Sequence, residues 1–84
     1  MNDFEVIEPP TQDLIEEFKY KVKPTQTHKD LLIAIEQYYK ENEKFMKKDN
    51  NEAGKRARKQ LLLIYHLVRQ RRGEISQHIY HSEE

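Results

Sequence analysis

Cysteine and tryptophan are absent from this 84-residue chain, and glycine occurs only twice. Without cysteine, neither a disulfide framework nor a cysteine-held zinc site can reinforce the fold. Scarce glycine, no tryptophan and a charged fraction of 36% argue against a turn-rich sheet and for a highly charged helical protein. No apolar run approaches the roughly 18 residues of a membrane span. Asp3, Glu5 and Glu8 make the N-terminus unlike a secretory signal. There is no glycine-rich phosphate loop, no nucleophile signature and no His-Glu-x-x-His, so no enzyme, catalytic residue or cofactor is expected. His78 and His81 stand three apart with Glu74 nearby. Two histidines near a terminus fall short of the three or four fixed ligands that a metal site needs, and no metal site is expected. His66, set between apolar residues, is expected to pack half-buried.

The chain bounds one small domain, near the size at which a single core is marginal and association with a second copy becomes an economical remedy. Its formal net charge of zero conceals a segregation of signs. Residues 1–18 hold six acids and no lysine or arginine, residues 19–73 hold all fifteen bases with six acids, and residues 74–84 add three acids. A basic body with acidic ends suits a polyanionic partner for the body, and ends that fold back to compete for it. Ordinary solubility is the alternative reading of the same charges.

The centre of the pattern is residues 50–72, which read as one long basic helix. Asn51 is suited to cap it and Glu52 suits the positive end of the helix dipole. Ala53, Ala57, Leu61, Ile64 and Val68 recur at three and four, which predicts one buried face. Lys55, Arg56, Arg58 and Lys59, then Arg69, Arg71 and Arg72, occupy the remaining faces.

Before it, residues 1–10 end in Pro9-Pro10 and read as an extended or disordered arm. Thr11 can cap a short helix carrying Leu14, Ile15 and Phe18 on one face. Phe18, Tyr20 and Val22 then alternate with Lys19, Lys21 and Lys23, which is a strand signal, so either the helix runs on or the segment is extended. Thr27 followed by Asp30 resembles a capping box and predicts a helix start. Leu31, Leu32, Ile35, Tyr38, Tyr39, Phe45 and Met46 continue it to about Lys47, and Lys48-Asp49-Asn50-Asn51 reads as a helix-to-helix turn. The fold class expected is all-α, an antiparallel helical hairpin over residues 27–80 preceded by an N-terminal arm or short helix over 1–26, with 81–84 frayed. The first helix spans roughly 30 Å and the second, continued through Ile79, roughly 40 Å. Val68, Ile75 and Ile79 would then overhang and need cover from Leu14, Ile15, Phe18 and Tyr20 or from a second chain. A break at Arg72-Gly73 is the competing expectation.

The start of the second helix is the most informative place. Its free N–H groups, Gly54, and the adjacent Lys55 and Arg56 would make a phosphate cradle, while Gly54 and Ala57 would equally let the helices approach closely. Arginine's fork suits phosphate, so the nucleic-acid-binding residues expected are Gly54, Lys55, Arg56, Arg58, Lys59, Arg69, Arg71 and Arg72. Tyr20, Tyr38, Tyr39 and Tyr65 offer stacking faces or the margin of a core.

The run Asn51-Glu52-Ala53-Gly54-Lys55-Arg56-Ala57-Arg58-Lys59, followed by an apolar-periodic helix and Arg69-Gln70-Arg71-Arg72, resembles the linker-histone-like chromatin proteins of chlamydiae and Bacteroidetes. Those chains carry an Asn-x-Ala-Ala/Gly-x-Arg-x-Arg run at the start of the second helix of a hairpin. The resemblance implies a small helical DNA-compacting protein of a bacterium or phage, acting in the nucleoid or host cytoplasm. Family members usually continue into a Lys/Ala-rich tail. This sequence has Ser82-Glu83-Glu84 there and an acidic arm in front, a departure under which the hairpin would be only the folding and self-association part. Beside a structural subunit that uses the hairpin only for assembly, two functions stay open. One is largely sequence-independent binding of the DNA or RNA backbone, with a homodimer as the expected assembly. The other is a protein-interaction module that docks on a host protein through residues 1–18.

Overall fold

The computed structural model describes residues 20–82. Helix α1 spans Gln26–Lys48 and helix α2 spans Asn51–Ser82, and the two pack as an antiparallel hairpin. Among the described residues there is no strand, so the fold is the all-α hairpin expected. Residues 20–25 are irregular. The arm and short helix expected before Lys19, with Leu14, Ile15 and Phe18, lie outside the described residues, as do residues 83 and 84.

Both helix starts sit one or two residues from the positions expected. Thr25, not Thr27, caps α1: its backbone is extended (φ −85°, ψ 168°) and its hydroxyl accepts from the His28 N–H at 3.2 Å. Asp30 instead takes the Gln26 amide at 2.9 Å. Asn50, not Asn51, caps α2, its side-chain oxygen accepting from the Ala53 N–H at 3.1 Å. The turn itself is short because Asp49 adopts a left-handed conformation (φ 50°, ψ 42°) that ends α1 at once. Aspartate tolerates that region better than most residues, since its short polar side chain can bond locally.

The buried seam also differs from the face expected. Ala53, Ala57 and Leu67 are buried on α2, and Gln60, Ile64, Arg71 and Glu74 are half-buried between and beyond them. These positions alternate by four and three, a seven-residue repeat of the kind that winds two helices into a supercoil. On α1 the same rhythm runs through Thr27, Leu31, Ala34, Tyr38 and Glu41, with Ala34 buried. Leu61 and Val68, expected in the core, are 48% and 39% exposed. Apolar residues alone favoured 61 and 68, but the helices meet at alanines, and a seam that narrow passes through Gln60 and Leu67 while leaving Leu61 and Val68 on its flank. His66 is likewise exposed, not half-buried.

Register is fixed at both ends of the hairpin. Near the turn, Gly54 lies against Phe45 so closely that a Cβ at Gly54 would stand 2.7 Å from the ring. At the far end the Thr25 hydroxyl donates to Glu74 Oε1, and Arg71 Nη1 reaches the same oxygen at 3.2 Å. Val68 therefore lies alongside α1 and is not overhanging. Only residues 75–82 project past Thr25, about 12 Å of helix. Val22 and Lys23 lie beside Ile75, His78 and Ile79 there, around a cavity of about 280 Å³.

The hydrogen bonds from Thr25 and Thr27, then the Arg71 charge, hold the Glu74 carboxyl below its usual range. Its stabilisation is complete above the ordinary carboxylate pKa and is lost as pH falls through the depressed value in the folded state. Melting of the wild type and Glu74→Gln should therefore differ most above the ordinary carboxylate range and converge as the pH falls below it. A pH-independent gap between the two melting temperatures would contradict this assignment.

No break occurs at Gly73, where α2 is continuous and a Cβ would meet nothing within 4 Å. Gly73→Ala should raise stability by about 0.5–1 kcal/mol, since it restricts the unfolded chain at no steric cost. Thermal melting would show a rise of about 2–8 °C.

Candidate nucleic-acid interface

Helix α2 carries seven bases and two acids, whereas α1 carries five bases and four acids. The positive excess of the hairpin thus belongs to α2. Packing sorts the seven bases into three kinds.

Arg56 and Arg71 are engaged within the hairpin. Arg56 Nε lies 3.1 Å from Glu41 Oε1 across the helix pair, and Lys44 stands 4.0 Å from the same oxygen. That oxygen is buried with no donor aligned for a hydrogen bond, so the contact is an ionic one. Arg71 is half-buried at the seam, where it bonds Glu74. Both residues orient the hairpin at least as much as they charge its surface.

Lys55 and Arg69 are held only from their own helix. Lys55 pairs with Glu52 at 3.3 Å, an exposed i,i+3 contact worth little in water. Arg69 lies over the Tyr65 ring at 5.9 Å, with its Nη1 3.4 Å from the hydroxyl. This stacking extends the guanidinium outward while its charge stays open to solvent.

Arg58, Lys59 and Arg72 have no hydrogen-bond or ion-pair partner among the described residues, and all three are exposed. Together with Lys55 and Arg69 they form two clusters of positive charge on the outer side of α2. The seventeen residues from Lys55 to Arg72 make the clusters' far edges about 26 Å apart. Between them, exposed Leu62 and Tyr65 interrupt the charge.

Gly54 does something different. Its N–H donates to the Asn50 carbonyl at 3.0 Å, and Ala53 N–H is taken by the Asn50 side chain. Of the two explanations for this glycine, close approach is the one visible in the contacts, since the Phe45 ring fills the space a side chain would need. Tyr38 lines a groove with Phe45, Gly54, Ala57 and Leu61, while Tyr39 is 44% exposed on α1. His81 meets Gln77 at 3.1 Å, and no group of His, Cys, Asp or Glu among the described residues could hold a metal ion. No helix among the described residues is long and apolar enough to cross a membrane.

Sequence reasoning missed Glu41 as the neutraliser of Arg56. The signal was available, because the two residues stand nearly equidistant from the turn and an antiparallel hairpin brings such residues together. It also missed the break in charge at Leu62 and Tyr65, which a helix wheel centred on Arg58 and Arg69 would have exposed.

No curated protein and no solved structure matches the chain. The family model described as Histone H1-like protein Hc1 matches residues 25–78, from the cap of α1 to within two turns of the end of α2. It covers the whole paired hairpin, the run at residues 51–59 and every basic side chain of α2. The span exceeds half of the 84 residues, and with this fold and this basic second helix the chain belongs to the histone H1-like Hc1 family.

Proposed function

We propose that the hairpin binds DNA through its phosphates, without catalysis and with little regard for base sequence, and that Lys55, Arg58, Lys59, Arg69 and Arg72 make the contacts. The observation that carries this reading is the set of outward cations on α2, of which Arg58, Lys59 and Arg72 have no partner among the described residues. A cation unneutralised within the hairpin keeps its charge for a polyanion, and its binding releases the counterions condensed there. Membership of a histone H1-like family makes DNA the expected polyanion.

The spacing supports the same conclusion. An α-helix is about 10–12 Å across and the major groove about 12 Å wide, so cation clusters about 26 Å apart at their far edges can reach the phosphates flanking a groove. Arg56 and Arg71, tied to Glu41 and Glu74, add to the field more than to direct contact. The site of action that follows is the nucleoid, or the host cytoplasm for a phage-encoded chain.

A salt series with duplexes of permuted sequence tests the reading. Three to five phosphate contacts give log K against log salt a slope of about −3 to −4.5. Affinities for the permuted duplexes should agree within about threefold, because phosphate contacts carry no base information. Failure of the chain to bind any duplex at 50 mM salt would reject DNA binding and turn attention to a protein partner.

A further inference from the structure

We propose that the acidic N-terminal stretch, residues 1–18, docks along the exposed flank of α2 and competes with DNA for Arg58 and Arg72. The proposal rests on the DNA-binding reading above and adds to it a built-in competitor.

One flank of α2 carries a series of exposed apolar side chains. Leu61, Tyr65, Val68, Arg72, Ile75 and Ile79 alternate by four and three, one position displaced from the buried seam. Its apolar members are between 39% and 54% exposed. Arg58 continues the same series toward the turn, and neither it nor Arg72 has a partner among the described residues. The flank thus offers apolar contact interrupted by free positive charge.

Its occupant is indicated by where the chain arrives. Val22 and Lys23 sit beside Ile75, His78 and Ile79, so the segment enters the hairpin at one end of this flank. From Ile79 to Leu61 is eighteen residues of helix, about 27 Å. Extended chain covers about 3.3–3.6 Å per residue, so roughly eight residues upstream of Tyr20 suffice to reach Leu61. Those residues include Leu14, Ile15 and Phe18 with Asp13, Glu16 and Glu17, and the whole stretch holds six acids and no lysine or arginine. Apolar and acidic groups together match an apolar flank punctuated by arginine. Tethering places this polyanion at a millimolar effective concentration beside the cations that DNA requires.

Three full-length chains test the proposal: the wild type, a variant with Leu14→Ser, Ile15→Ser and Phe18→Ser, and a variant with Asp3→Asn, Glu5→Gln, Glu8→Gln, Asp13→Asn, Glu16→Gln and Glu17→Gln. Each is measured for binding to a 30-base-pair duplex at 50 mM salt and for the amide chemical shifts of Leu61, Tyr65, Val68 and Ile75. Both variants should bind about tenfold more tightly, as expected when roughly nine-tenths of the wild type is docked, and both should move the same amides. The serine variant keeps the net charge, so its gain cannot come from general attraction. Tightening in the neutralised variant alone, with the four amides unmoved, overturns the docking and leaves only net charge. Flank shifts that depend on protein concentration also overturn it, since a second copy would then cover the flank. If none of the three chains binds the duplex, DNA binding itself is rejected and the competition with it.

Discussion

Arg58→Glu with Arg72→Glu is expected to weaken duplex binding by about 200-fold or more at 50 mM salt and to make the salt slope shallower by about 2. With a slope of 0.9 per phosphate contact, each contact multiplies affinity by about fifteen between 1 M and 50 mM salt, and two are lost. Reversal adds repulsion to that loss. The pair is informative because neither arginine has a partner within the hairpin, so helical content and melting should stay close to wild type. Arg71→Glu makes the contrast. It sets a second carboxylate beside Glu74 at a half-buried position, so its fold should weaken along with its binding. Equal affinity of the Arg58/Arg72 double variant and the wild type across the salt series would remove α2's outer face from the interface.

Ala57→Leu is expected to lower the stability of the hairpin by about 1–3 kcal/mol, a large share of what so small a core supplies. Leucine is nearly as good a helix former as alanine and is more apolar, so propensity and hydrophobicity both favour the substitution. Packing opposes it. Ala57 is 4% exposed on the seam where α2 meets α1. Three added heavy atoms must push the helices apart, at a cost of about 1–3 kcal/mol or more. A single core of this size rarely supplies more than about 3–5 kcal/mol in total. Ala57→Ser, small enough for the same space, should retain the fold. Circular dichroism melting of both variants decides the matter, and an Ala57→Leu chain as stable as wild type would mean that the helices are not held at alanine contact distance.

Much of the architecture is legible in the chain before it folds, and the reasons are local. Short-range backbone chemistry accounts for the helices and for the polar turn at Asp49 and Asn50. The caps were displaced by one or two residues, because Thr25 and Thr27, or Asn50 and Asn51, offer the same chemistry at neighbouring positions. Choosing between them depends on where the second helix arrives, and Thr25 also donates to Glu74 from across the hairpin. The basic character of α2 was equally plain, because charge is additive along a sequence.

What local chemistry could not decide is which residues lose contact with water. Ala53, Ala57 and Leu67 are buried while the equally apolar Leu61 and Val68 remain on the flank, because two helices touching at alanine bury only a narrow seven-residue seam. The same pairing sorts seven formally identical positive charges. It ties Arg56 to Glu41 and Arg71 to Glu74, and leaves Arg58, Lys59 and Arg72 without partners among the described residues. Periodicity and composition specify helices, turn and net charge because each depends on neighbours in sequence. The seam and the free cations depend on neighbours in space, and those exist only once α1 and α2 have packed.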